Sequence, residues 1–240
     1  MALERDIVSA SAVLGLGIVI ASIVGSMTFY NVRSMDNTLS VTGSATQSVK
    51  ADSAKWTVSV TRSGYEGDVP ALQGRVARDT RIVVDFFDRG GIAAEDIHVS
   101  PVSVDQDYSS DPNTPRRYTL REQITVISKD PSQIDKLSKD IGSLVSGGVL
   151  VSANSPEYYV SGLPQLRVAL IGKAVQDAKA RAESIAKSTG QSVGALKSAS
   201  SGVVQVMAPN SVDISDYGSY DTSTIDKQIM VTARATFFLK

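Results

Sequence analysis

Few residues in this chain have the type and spacing that chemistry requires. It contains no cysteine, which removes disulfides, thiolate metal ligands and a cysteine nucleophile. The one histidine, His98, sits between Ile97 and Val99 in an alternating stretch. General acid–base work needs a partner and a metal needs further ligands, so His98 reads as a surface strand residue. Asp105, Asp107 and Asp111 place carboxylates at loop spacing. Calcium takes about six to eight oxygens, and this run lacks the glycine and distal glutamate of a helix–loop–helix calcium site. It reads as a solvated hairpin turn, and an enzyme built on Asp105 and Asp107 would require a buried carboxylate pair. A second acidic stretch, Asp213, Asp216 and Asp221, is interleaved with Tyr217, Gly218 and Tyr220 and reads the same way. Aromatic residues suit contact surfaces, which makes Tyr158, Tyr159, Tyr217 and Tyr220 candidate interaction loops. Gly15-Leu16-Gly17 lacks the strand-to-helix context of a nucleotide loop. No phosphate-loop lysine occurs. No catalytic, cofactor-binding or metal residue is therefore assigned, and an enzymatic role is not expected.

The elements that would hold these residues are legible from periodicity. The last strand is the clearest. Ile225, Lys227, Ile229, Val231, Ala233, Ala235, Phe237 and Leu239 alternate with mostly polar neighbours, a period of two with one face buried. Leu39, Val41, Ala45 and Val49 form an earlier strand, Ala51–Lys55 a turn, and Trp56, Val58 and Val60 the next strand. Ile97 and Val99 alternate up to Pro101, after which the phase shifts to Val102 and Val104, as at a bulge. Tyr118, Leu120, Ile124 and Val126 follow, with Asp111-Pro112-Asn113 as the intervening turn of a hairpin.

Three helices are expected in the soluble part. Asp68–Arg89 is stopped by Gly90-Gly91. Asp130-Pro131 caps a second, with Ile134, Leu137, Ile141 and Leu144 as its stripe and Gly147-Gly148 at its end. The third runs from Leu163 to Thr189, before Gly190, with Leu166, Leu170, Ala174, Ala178, Ala182 and Ile185 inward. Asp177–Arg181 and Glu183–Lys187 are its surface pairs. Val203–Ser223 reads as an exposed loop. The order β-β-α-β-β-α-β-α-β-β, with strands in pairs between helices, predicts an α+β fold with largely antiparallel sheets.

Ahead of this domain, residues 7–32 carry no charge between Asp6 and Arg33. A helix here would cross about 30 Å of hydrocarbon at about 1.5 Å per residue. The expected layout is a short head at 1–6, a transmembrane signal anchor at 7–32, a linker at 33–38 and a soluble domain at 39–240. Phe29, Tyr30 and Arg33 resemble an interfacial belt. A cleaved signal peptide is the rival reading, with Val24-Gly25-Ser26 as the cut, but its apolar core is normally shorter and preceded by a positive start. Arg5 and Arg33 nearly cancel as orientation signals. The short head and long tail favour an extracytoplasmic C-terminal domain. Gly17, Ala21 and Gly25 lie four apart on one helix face, the small-residue spacing that lets two membrane helices pack.

Residues 38–240 carry 22 Lys+Arg and 22 Asp+Glu, so this part is neutral. Nucleic acid binding needs a basic face and is not expected.

Several stretches together resemble the SIMPL domain family. They are Val41-Thr42-Gly43-Ser44-Ala45-Thr46 with Val49, Asp52 and Trp56–Val60; Gly91–Ile97 into Val99–Tyr108 and Tyr118–Val126; the alanine-rich helix Ala174–Ser188 with Gly190 and Val193-Gly194; and Ile229–Leu239. The order agrees over residues 39–240. The resemblance implies a protein of the cell envelope, exported or anchored. Some members assemble into ring-like or channel-like oligomers, some are linked to oxidative stress, and a eukaryotic relative is a kinase-binding adaptor. It brings no accepted activity and no catalytic residues. With no cysteine to react, a direct antioxidant role has little chemical support. The expected function is a membrane-anchored assembly protein whose partners are copies of itself and, through residues 7–32, the bilayer. No protein partner is identified. The alternatives are an adaptor or chaperone-like binding module and, behind it, a carboxylate-based enzyme.

Overall fold

Alternation of buried and exposed side chains builds the sheets where the sequence places them. In a computed structural model, residues 2–34, 37–108, 115–211 and 215–240 are described, with side chains for only residues 14–30 of the first helix. In chain order the elements are α1 (Ala2–Ser34), β1 (Thr38–Lys50), β2 (Ser53–Tyr65), α2 (Val69–Arg89), β3 (Ile97–Val99), β4 (Ser103–Asp107), β5 (Arg117–Ser128), α3 (Pro131–Asp140), α4 (Gly142–Ser146), β6 (Val151–Ala153), β7 (Glu157–Tyr159), α5 (Leu163–Ser188), β8 (Val193–Met207), β9 (Ser219–Tyr220) and β10 (Asp226–Leu239). One sheet runs β1-β10-β8-β9. The other runs β3-β5-β2-β6, with β4 also on β5 and β7 on β2. The fold is α+β, and its pairings are antiparallel except β8 with β9 among those whose register is described.

The chain divides into two compact units: Met1–Ala45, Ala169–Gly202 and Val231–Lys240 in one, Thr46–Val168 and Val203–Met230 in the other. In the larger unit, β2 and β5 pair along their whole length, with Trp56 opposite Val126 and Val58 opposite Ile124. Alternate residues Trp56, Val58, Val60, Leu120, Ile124 and Val126 are buried against Leu72, Val76, Val83 and Phe87 of α2. Phe87 meets Trp56 edge-on at 5.5 Å between centroids, and the indole Nε1 donates to the Asn154 carbonyl at 2.7 Å. Asp130 caps α3 by accepting from the backbone N–H of Ser132 and Gln133. Arg62 enters the buried side of α2 and pairs with Asp79 at 2.6 Å.

In the smaller unit, α5 lies so close to β1 that a Cβ on Gly43 would strike the backbone of Ala174 and Ala178. Small residues on both elements permit this approach. Ala178 and Ala182 pack with Ala235, Phe237, Leu39, Val41 and Val193. Asp177, on α5, accepts the Ser44 backbone N–H at 2.8 Å and pairs with Arg181 at 2.8 Å.

Several expectations are corrected. The turn after β1 is only Ala51-Asp52, because the Asp52 carboxylate is engaged by Ser161 and β2 begins at once. The second helix breaks at Ile141 into α3 and α4. On α5 the inward residue near the end is Ala186, while Ile185 is 45% exposed; the strict four-residue step from Leu170 reaches Ala186. Glu183 pairs with Lys179 rather than Lys187, since it has a lysine one turn away on either side. Val203–Met207 is strand rather than loop, and β9 interrupts the remainder. The Asp111-Pro112-Asn113 turn lies outside the described residues.

The N-terminal segment is helical. It forms one helix, α1, but among the described residues no helix is long and apolar enough to cross a membrane. A transmembrane helix at 7–32 is not found among the described residues.

Candidate functional site

The most distinctive polar arrangement grows from a violation of the β10 pattern. The alternation that buries Ile229, Val231, Ala233, Ala235 and Phe237 also buries Lys227, whose side chain is 0% exposed. A buried ammonium must be paired or lose its charge. The loop before β10 supplies the partner. Lys227 Nζ donates to the Asp221 carbonyl and lies 3.3 Å from its Oδ2. Asp221 also accepts from the backbone N–H of Ser223 at 3.0 Å, from the Ser223 hydroxyl at 2.6 Å, and from the hydroxyl and N–H of Thr224.

These contacts decide both titrations. Burial alone would raise the Asp221 carboxyl, but bonds from Ser223 and Thr224, with the Lys227 charge, hold it well below the usual carboxylate range. Lys227 is lowered, because burial outweighs the attraction of Asp221. The pairing thus acts unequally on its members. Asp221 keeps 19% of its side chain in solvent and Lys227 keeps none, so the lysine bears the larger desolvation cost.

Aromatic residues complete the cluster. The Tyr220 ring lies 5.8 Å from the Lys227 ammonium and 5.9 Å from the Tyr159 ring. Its hydroxyl accepts the Val160 N–H at 2.9 Å, and the Tyr159 hydroxyl donates to Glu157 at 2.9 Å. Tyr158 is 4% exposed, in the core on β7, and burial with the Asp135 carboxylate pushes its phenol up. Of the four tyrosines expected on interaction loops, Tyr159 and Tyr220 come together, Tyr158 faces inward, and Tyr217 alone is fully presented, at 96% exposure. Chemically the cluster is a clamp. Its amine is enclosed and hydrogen-bonded, and it ties residues 220–227 to β7 through Tyr220 and through the Thr222 carbonyl, which accepts the Tyr158 N–H. A groove of about 560 Å³ runs beside it between Ser48–Lys50, Asn210 and Asp226–Gln228.

The other candidates are dispersed. His98 is exposed on β3 opposite Thr125. Asp105 and Asp107 are exposed on β4, where Asp107 accepts from Thr119 at 3.0 Å and pairs with Arg117 at 3.5 Å. Asp111 and Asp213 lie outside the described residues. Among the described residues no group of carboxylates and histidine is placed to hold a metal ion. Gly17, Ala21 and Gly25 lie exposed on α1, with nothing of the chain within 4 Å of the space beside either glycine.

Sequence reasoning missed Asp221 and Lys227 as a pair. The signal was present, since a lysine on the apolar parity of the best strand in the chain demands a buried counter-charge.

The family model SIMPL, described as a protein of unknown function (DUF541), matches residues 39–237. The chain belongs to the SIMPL family. A search of curated proteins found no match. Among solved structures, a crystal structure of an amidase of the hydantoinase/carbamoylase family from Burkholderia phymatum shares 16% identity over 52% of this chain and 34% of its own, with a TM-score of 0.26. The SIMPL chain thus spans about a third of that protein, a likeness too low to bear on fold or chemistry.

Proposed function

We propose that this SIMPL protein is a membrane-associated assembly protein of the cell envelope. Its N-terminal helix lodges in the bilayer, and its SIMPL domain, on the extracytoplasmic side, joins copies of itself into a ring or cage. One observation carries the reading. Among residues 14–30 of α1 the large apolar side chains are exposed: Leu14, Met27 and Phe29 are 68%, 64% and 68% exposed, and Tyr30 75%. Uncovered apolar surface of this extent calls for lipid or other protein. Thr28 fits the same reading, because its hydroxyl is satisfied within the helix by the Val24 carbonyl at 2.8 Å. The run from 7 to 32 carries no charge.

The test is to express the full chain, wash membranes with alkaline carbonate, and measure the detergent-extracted protein by mass photometry. Retention in the carbonate pellet and a multi-copy species are expected. Release into the wash overturns the anchor, and a monomer at micromolar concentration overturns the assembly. The adaptor reading draws on the exposure of Tyr217. Crosslinking in cells separates the two, since an assembly yields ladders of itself and an adaptor yields foreign partners.

A further inference from the structure

The sheet β1-β10-β8-β9 leaves one long edge open. β8 runs fifteen residues, Val193–Met207, yet β9 pairs with it only at Gln205 and Val206. Beyond β10 on its other side, no described strand covers β8 from Val193 to Gly202. Burial agrees, since every residue from Ala195 to Ser201 is exposed on both faces of the strand. A run of unpaired backbone N–H and C=O groups is a template for another strand, and proteins usually blunt it with proline, charge, a short strand or a bulge. The stretch Val193-Gly194-Ala195-Leu196-Lys197-Ser198-Ala199-Ser200-Ser201-Gly202 has no proline and one charge. That charge, Lys197, lies 5.5 Å from the Phe238 ring centroid.

At β1, the outer strand on the other side of the sheet, the Ser44 N–H is taken by Asp177.

We propose that the open edge of β8 is the self-association surface of this SIMPL protein, and that two copies pair β8 with β8, antiparallel, about a two-fold axis near Ser198. This rests on the assembly reading above and names its contact. A second copy is the occupant the observations favour, because the stretch is self-compatible. Centred on Ser198, antiparallel pairing sets Ser198 against itself, Lys197 against Ala199, Leu196 against Ser200 and Ala195 against Ser201. No like charges stand directly opposite, and no bulky side chains face each other. The backbone supplies the bonds, and a two-fold contact needs only one patch.

The absence of native cysteine makes the test clean. Single variants Leu196→Cys, Ser198→Cys, Ser200→Cys and, as a control on α5, Ser188→Cys are made in the full chain and oxidised in detergent micelles. Ser198→Cys is expected to give covalent dimer several-fold faster than the other three. A parallel arm places Lys at Ser198 and Ser200, setting like charges across the axis. It is expected to lower the copy number by mass photometry while leaving the thermal unfolding midpoint unchanged. A multi-copy species that survives the lysines, with Ser198→Cys no faster than Ser188→Cys, overturns β8 pairing and leaves the assembly reading standing. A wild-type chain that is monomeric overturns both.

Discussion

At the scale of single residues, Asp221 and Lys227 are the pair on which the larger unit most visibly depends. Removing one member of a buried ion pair strands the other, which typically costs about 3 kcal/mol or more, whereas replacing a buried charge by an apolar side chain of similar volume is often neutral. Asp221→Ala is therefore expected to destabilise by about 3 kcal/mol, and Lys227→Met by much less. The double variant should be more stable than Asp221→Ala alone. Urea unfolding of the three checks this, and equal losses for both single changes would show that the pairing is not the source. The pH dependence follows from the same two groups. Asp221 has a lower pKa folded than unfolded, so its stabilisation is full above the ordinary carboxylate range and is lost as pH falls through and below it. Lys227 is also lower when folded, so the cost of holding it charged is relieved as pH rises toward the ordinary lysine value. Between those windows neither group bends the curve. Urea midpoints measured from neutral to acid pH should fall less steeply in Asp221→Asn than in the wild type.

At the scale of elements, the contact of β1 with α5 is the tightest in the smaller unit. Gly43 faces backbone atoms of Ala174 and Ala178, which cannot move aside as a flexible side chain would. Gly43→Ala is expected to cost about 2 kcal/mol or more through overpacking and to lower the thermal midpoint. Ser44→Ala, one residue away and keeping the backbone N–H, should be nearly silent. Elements with strong periodicity were legible in the sequence. The parity of β10, the Asp130 cap, the alanine face of α5 and the β4–β5 hairpin all follow from alternation, capping and spacing. What escaped was set by distant partners. Short strands such as β7 and β9 exist because β2 and β8 supply their hydrogen bonds, and Ser219-Tyr220 shows no strand signal of its own. Tyr158 looked like a loop residue because its burial comes from pairing with Ala54 on β2, more than 100 residues earlier in the chain. The cluster at Asp221 was half legible: Lys227 stood on the buried parity, but only the folded loop brings Asp221 back to it.

At the scale of the whole molecule, two described surfaces stand without cover in a single copy: the apolar side chains of α1 from 14 to 30 and the β8 edge. They ask for different things, one for hydrocarbon or another helix and the other for backbone hydrogen bonds, so the carbonate and cysteine tests read them separately. The two-fold form of the proposed β8 contact also has a bearing on size. It uses the same edge of both copies, so neither has that edge left for a third. By that contact alone, association stops at two copies. A ring must then join those pairs through a second, chemically distinct two-fold contact, for which the Gly17, Ala21 and Gly25 face of α1 is available. A closed object built from two alternating contacts of that kind contains an even number of copies.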